Sequence, residues 1–398
     1  MIPPIHHAEK RLVALLLAAS FALFNLYSLA TPLFEASDEA WHYPFVQHLS
    51  NGGGLPVQHA GQSDADAPWR QEGSQPPLYY ALAALVTAPV DDSNWREIRR
   101  LNPHSDLGLA THDGNINAAL HTQVEMFPWA GAALAVRLAR LLSVVLSTLT
   151  VGFAYLIARE IFPAPAAGSD ETDHTTWLRI GTIVFTACVP MFAFISGSIN
   201  NDNAAVLFST MGVWWALRIM RRRDTKARAA IIAGLIASAG ALSKSSALGL
   251  IGLFGLAAAL ASICGHAQGN NLTRAQLVKE IARITFSMAR FTLIVAIVVA
   301  VCAGWWFVRN HILYGDLLGW NAFLDTAGRR SPPASLAQLW TEREGFVRSY
   351  WGVFGAMNVL MPPLVYNALN GMLFLAAAGL IWSLFRRRST SPPSPGAA

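Results

Sequence analysis

The sequence predicts an all-α polytopic membrane protein with about eight transmembrane helices. Three observations lead there. Apolar runs of spanning length recur along the chain, charged residues are few, and basic residues gather beside the runs. Hydrophobic residues make up 53% of the 398, charged residues only 13%, and mean hydropathy is +0.37. A soluble domain is less apolar and carries about twice that share of charge, near 25%. The net charge of +5 and isoelectric point near 9.3 would suit a nucleic-acid partner. The basic residues instead follow a positive-inside pattern, so membrane lipids and not nucleic acid are the expected partners. Cys188, Cys264 and Cys302 lie far apart in apolar runs, without metal spacing or a disulfide framework, and read as small buried hydrophobes.

The first span is 11–30. Lys10-Arg11 ahead of it and Ser28-Leu29-Ala30 at its end resemble a signal peptide. The run matches the roughly 20 residues a membrane helix needs, so it reads as a transmembrane helix. Residues 31–130 then form a large first loop. Within it 78–90 is too short to cross and reads as an interfacial helix, started by Gln75-Pro76-Pro77. Further spans are expected at 130–161, 177–199, 204–220, 229–242, 247–264, 291–308 and 364–385. A last loop covers 309–361, and 386–398 reads as a disordered cytoplasmic tail. Residues 1–385 thus form one transmembrane domain.

Orientation follows from charge. Arg221, Arg222, Arg223, Lys226 and Arg228 share a side with Lys10-Arg11 and Arg386-Arg387-Arg388 only if crossings number eight and both termini are cytoplasmic. Five polar features then face outward: 35–42, Gln75-Pro76-Pro77, 200–203, Lys244, and the loop opening with Arg309-Asn310. They are distant in sequence and converge only in space.

Asp38 and Glu39 are the candidate catalytic acids, because a carboxylate at a membrane surface can act as general base or hold a divalent cation. His42, four residues after Asp38, would share its face on a helix, so Asp38 and His42 are candidate metal ligands; loop hydrogen bonding is the plainer role for His42. Lys244, in a very short connection, and Arg309, after Trp305-Trp306-Phe307-Val308, are candidate phosphate ligands, with snorkelling as the plainer role. Arg137 and Arg140 enter the membrane from outside, against the charge trend, and suit a phosphate or acidic partner. Asp202 is a candidate substrate contact but reads first as a helix N-cap. Tyr79, Tyr80, Trp305, Trp306, Trp340 and Trp351 fit an interfacial aromatic belt. No Walker loop, dinucleotide fingerprint, nucleophile elbow or H-E-x-x-H occurs, which argues against an ATP-driven transporter, a dinucleotide enzyme and a zincin protease.

A set of short motifs carries a resemblance. They are Ser37-Asp38-Glu39-Ala40-Trp41-His42, Gln75-Pro76-Pro77-Leu78-Tyr79-Tyr80 and Arg137-Leu138-Ala139-Arg140-Leu141-Leu142-Ser143. Asn201-Asp202, Leu242-Ser243-Lys244, Trp306-Phe307-Val308-Arg309-Asn310 and Tyr314-Gly315-Asp316 complete the set. In this order they resemble the GT-C superfamily of integral-membrane glycosyltransferases, which includes protein O-mannosyltransferases and lipid A aminoarabinose transferases. The resemblance implies a polyprenyl-phosphate-linked sugar donor and transfer on the extracytoplasmic face of a bacterial inner membrane. It implies Asp38 as base, Glu39 as second acid, and Lys244 and Arg309 near the donor phosphate. Gln75, Tyr79, Asp202, Arg137 and Arg140 join the expected substrate-binding set. Relatives often carry more helices or a soluble C-terminal domain. The 91–129 insertion, with His104, His112 and His121, lacks a counterpart among the better-known members and is a place where acceptor choice could reside. The acceptor is a glycan, lipid or protein. A transporter, flippase or accessory protein for lipid-linked saccharides is the alternative; transport is disfavoured because ionisable residues sit at span ends and not in mid-membrane, and an accessory role because the set of acids and bases is complete.

Overall fold

The computed structural model describes residues 7–59, 61–106, 114–163, 174–264 and 274–389. Each expected span is helical. In chain order they are α1 (His7–Ala30), α2 (Glu39–Ser50), α3 (Leu78–Thr87), α4 (Trp95–Ile98), α5 (Gly131–Ile161), α6 (His174–Ala187), α7 (Pro190–Ser196), α8 (Asp202–Arg222), α9 (Ala227–Ala241), α10 (Gly249–Cys264), α11 (Arg274–Tyr314), α12 (Trp320–Ala327), α13 (Leu336–Thr341), α14 (Arg343–Trp351) and α15 (Pro363–Ser389). Two short antiparallel strands, β1 (Val353–Phe354) and β2 (Val359–Leu360), form a hairpin before α15.

Among the described residues, five helices are long and apolar enough to cross a membrane, and α6 with α7 makes a sixth as a bent pair. The chain is an all-α polytopic membrane protein. The expected span 177–199 is broken by 64°. The cause is Pro190, which starts α7 and forces Val189 before it into extended backbone. The expected span 291–308 is the later part of a 41-residue helix that begins at Arg274. At 1.5 Å per residue α11 is about 60 Å long, roughly twice a bilayer's hydrocarbon core, so it projects well beyond it. The tail expected to be disordered from 386 is still helical to Ser389; 390–398 lie outside the described residues.

Small residues let the helices approach. α9 buries Ala229, Ala230, Ala233, Gly234, Ala237 and Ala241 against its neighbours. A Cβ on Gly234 would stand 2.6 Å from the Val298 Cβ of α11, so only glycine fits that crossing. At the end of the bundle away from the first loop, Arg179 of α6 pairs with Glu9 of α1 at 2.8 Å, and Tyr155 of α5 donates to Glu9 at 2.9 Å. The cysteines do not all behave as buried hydrophobes: Cys188 is exposed at the α6–α7 break.

The first loop is a packed layer over one end of the bundle. Leu33, Tyr43, Phe45, Tyr79, Tyr80, Trp95 and Ile98 form one core with Ala132, Val136 and Ala139 of α5. α3 is the expected short helix, but Tyr79 and Tyr80 are fully buried, not in an exposed aromatic belt. The last loop packs on this layer: Gln58 donates to the Ala322 carbonyl at 2.6 Å and Thr326 at 2.9 Å, and Asn358 to the Ile116 carbonyl at 2.9 Å.

Candidate active site

The candidate site lies where the first loop meets the turns before α8 and after α9. Backbone bonds assemble it. The Leu78 N–H at the start of α3 donates to the Leu242 carbonyl at 2.8 Å, which sets Gln75-Pro76-Pro77 beside Lys244. Asn201 then bridges Gln75 at 3.3 Å and the Ser243 carbonyl at 3.1 Å. The structure thus brings together polar features that the sequence left far apart, although Arg309 itself stays off the Lys244 cavity.

Lys244 sits in extended backbone between α9 and the turn Ser245–Leu248. Its ammonium pairs with Asp202 at 2.5 Å, and both side chains are only partly buried. Asp202 is the first residue of α8 and is not its cap; Asn200 accepts the Asp202 N–H at 2.8 Å, which leaves the Asp202 carboxylate free to meet Lys244. Lys244 lines a cavity of about 470 Å³ with Ser74, Gln75, Pro76, Trp320 and Phe323.

Asp38 is electrostatically coupled to the Lys244–Asp202 pair. It precedes α2 in a left-handed conformation, φ 59°, and its carbonyl accepts the His42 N–H at 2.9 Å. Aspartate tolerates this region better than most residues, and such backbone concentrates at functional sites. The carboxyl accepts from Gln71 at 3.3 Å and from Ser37 at 3.4 Å. Burial raises its pKa, and Asp202 adds to the rise; the Ser37 hydroxyl and the Lys244 charge oppose it. Asp38 is therefore a better proton acceptor than an ordinary surface carboxylate and feels the Lys244–Asp202 pair.

Behind Asp38 lies a group that sequence reasoning missed. Glu72 is buried, accepts from the Tyr80 hydroxyl at 3.3 Å, and has its pKa pushed up to about 8 by burial and by Asp38. Tyr80 also bonds His42 Nδ1 at 2.8 Å. The only sequence signal was a lone carboxyl three residues ahead of Gln75-Pro76-Pro77.

The other expected site residues serve elsewhere. His42 is buried, its Nδ1 turned to Tyr80 and Glu72, and burial and Lys244 lower its pKa to about 3. It does not face Asp38 as a co-ligand, because α2 begins only at Glu39. Among the described residues no three His, Cys, Asp or Glu side chains cluster to hold a metal ion. Of the two candidate metal ligands, His42 is engaged with Tyr80 and Glu72.

Glu39, expected as a catalytic acid, and Arg140, expected to meet a phosphate or an acidic partner, are bound to each other inside the protein. Both side chains are 0% exposed. All five Arg140 donors are used: two on Glu39 at 2.7 and 2.5 Å, and three on the Ser28, Thr31 and Pro32 carbonyls. Glu39 also accepts the Phe34 and Ile199 N–H groups, at 3.0 and 2.9 Å. Neither has an atom left for substrate. Tyr79 is likewise buried, bonded to Ser143 at 2.7 Å and accepting the Asn200 N–H at 3.1 Å. Arg137 donates to the Ser28 carbonyl and covers Trp129, 5.2 Å from the ring centre. Arg309 donates to the Leu55 and Pro56 carbonyls and stacks over Trp306; it is not among the residues lining the Lys244 cavity. In the 91–129 insertion, His121 binds Glu35 at 2.8 Å and Glu125 at 2.9 Å, while His112 lies outside the described residues.

No protein family and no curated protein matches the sequence. Among solved structures, the chain is similar to the S. cerevisiae protein O-mannosyltransferase Pmt1-Pmt2 complex bound to the sugar donor, at 17% identity and a TM-score of 0.45. The match covers 79% of this chain and 35% of that one, so the chain spans about a third of the length of that protein.

Proposed function

We propose that the chain is a membrane glycosyltransferase. It moves a sugar from a polyprenyl-phosphate-linked donor to an acceptor, with inversion, on the extracytoplasmic face of a bacterial inner membrane, both termini being cytoplasmic. One observation carries this reading: a strained, half-buried carboxyl with a raised pKa, Asp38, lies within electrostatic reach of a partly exposed lysine that lines a largely apolar cavity. A lipid phosphate suits that cavity, with the isoprenoid against Trp320 and Phe323 and the phosphate on Lys244. The phosphate replaces Asp202 as partner of Lys244 on binding. Asp38 takes the acceptor proton, the acceptor oxygen or nitrogen bonds to the anomeric carbon, and the anomeric carbon–oxygen bond breaks with its electrons passing to the leaving phosphate. Burial of Asp38 strengthens its basicity, and Lys244 stabilises the charge that develops on the phosphate.

The test is transfer from a polyprenyl-phosphate sugar in proteoliposomes containing the full chain. Asp38→Asn is expected to lower transfer by about 10²–10⁴-fold, the usual weight of a general base. Lys244→Met is expected to abolish saturable donor binding. Full activity in Asp38→Asn at matched folding would overturn the reading.

A further inference from the structure

The Lys244–Asp202 pair has a second apolar recess on its other side. Asp202 shares a groove of about 660 Å³ with Phe185, Val189, Phe192 and Tyr350. Phe185, Val189 and Tyr350 also line a recess of about 480 Å³ whose far wall is Leu369, Met372, Leu373 and Ala376 of α15. The two recesses share Phe185, Val189 and Tyr350, and their linings together form a trough from the Asp202 carboxylate past the α6–α7 break to α15. One wall is α15, long and apolar enough to cross a membrane; the other is the bent α6–α7 pair, with Tyr350 of α14 lining both recesses. Its α15 wall lies within about 20 Å of the loop end of that helix, at 1.5 Å per residue, which is the membrane half nearer the candidate site.

The two recesses differ in sign at the ion pair. The first presents the Lys244 ammonium, which suits a phosphate. The trough presents the Asp202 carboxylate, which repels a phosphate and accepts hydrogen bonds from a hydroxyl. A hydrocarbon chain lying in the trough would bring its head group to Asp202, at the end nearest Asp38 and the donor cavity. From this we infer that the acceptor is itself a lipid. Its hydrocarbon chain occupies the trough, and its uncharged, hydroxyl-bearing head group meets Asp202. This rests on the glycosyltransferase reading and names its acceptor class. The hydroxyl oxygen forms the new bond to the anomeric carbon, its proton goes to Asp38, and the donor phosphate leaves with the electron pair of the broken bond. Asp202, a candidate substrate contact in the sequence, is thereby placed on the acceptor side.

Photolabelling tests this with the full chain in phosphatidylcholine nanodiscs. The probes are diacylglycerol and phosphatidic acid carrying the same diazirine acyl chain, and a diazirine polyprenyl phosphate. Diacylglycerol is expected to label peptides containing Phe185–Val189 and Met372–Ala376 at least about fivefold more than phosphatidic acid, equivalent to roughly 1 kcal/mol of head-group discrimination. Asp202→Asn is expected to bring phosphatidic acid labelling up to the diacylglycerol level. Ala376→Trp, which fills the trough, is expected to lower diacylglycerol labelling there at least fivefold and to leave polyprenyl-phosphate labelling near Trp320 unchanged. Equal labelling by diacylglycerol and phosphatidic acid in the unaltered protein would mean boundary lipid only and would overturn the inference, whether or not the tryptophan variant folds. Trough labelling by diacylglycerol without any polyprenyl-phosphate labelling near Trp320 would overturn the donor reading and leave the lipid site standing.

Discussion

Replacing Arg140 with methionine tests whether the Glu39–Arg140 pair is scaffold or machinery. The guanidinium is fully buried and makes all five of its hydrogen bonds, to Glu39 and to three carbonyls at the end of α1. Methionine keeps much of the length and removes every donor. Glu39 becomes a buried carboxylate held only by the Phe34 and Ile199 amides. Breaking one side of a buried pair costs about 3–5 kcal/mol. The stranded carbonyls push toward the upper end. At about 2 °C per kcal/mol, the low end for a large chain, Tm falls by about 6–10 °C. Thermal unfolding in detergent, followed by loss of the monodisperse peak, reads this directly. Glu39→Gln strands the arginine and loses a similar amount. The double variant Glu39→Leu with Arg140→Met loses less than the two single losses summed, because no buried charge remains. If Arg140→Met changed Tm by under about 2 °C yet abolished transfer, the arginine would be acting on substrate and the scaffold assignment would be wrong.

Three other outcomes follow from the same geometry. Glu72 has a folded pKa of about 8 against an ordinary 4.5, so the folded state holds its proton longer. Its contribution is complete below 4.5 and is lost as pH rises through 8; Glu72→Gln is expected to flatten the fall in Tm across that window. His121 is held at about 9 against 6.5 by Glu125 and Glu35, so its stabilisation is full below 6.5 and lost as pH rises through 9. His121→Gln is expected to remove that dependence and to speed hydrogen exchange at the Ala118 and Ala119 amides, which Glu35 accepts. In Gly197→Ala the new Cβ would meet the Ser28 backbone nitrogen at 2.6 Å and the Phe24 carbonyl at 3.0 Å. Backbone cannot move aside like a side chain, so a loss of about 1–3 kcal/mol is expected in the same unfolding assay.

Several of these groups were visible in the sequence and several were not. Most of the helices were legible because a spanning segment is a long run of one chemistry, and length and hydropathy need no knowledge of neighbours; the expected spans 204–220 and 229–242 are helical but are not among the helices long and apolar enough to cross. Asp38 and Lys244 were legible for a related reason: a charge at the edge of an apolar run is costly and stands out. The same signal could not separate Asp38 from Glu39, which are adjacent in sequence. The chain turns between them. Asp38 adopts the left-handed region and stays half-exposed, while Glu39 opens α2 pointing inward to Arg140. The break at Pro190 was locally encoded, but the hydropathy of 177–199 masked it. Glu72 carried almost no sequence signal, since its raised pKa comes from burial under Tyr80 and from Asp38. Arg137, Arg140 and Arg309 looked alike as cations near span ends, and only the carbonyls and rings around each one show which are engaged. The sequence by itself determined where the chain is helical and apolar and which charges have to be accounted for. Tertiary structure alone decided which of those charges neutralise one another inside the protein and which meet at a cavity, because pairing depends on distances between residues far apart in the chain.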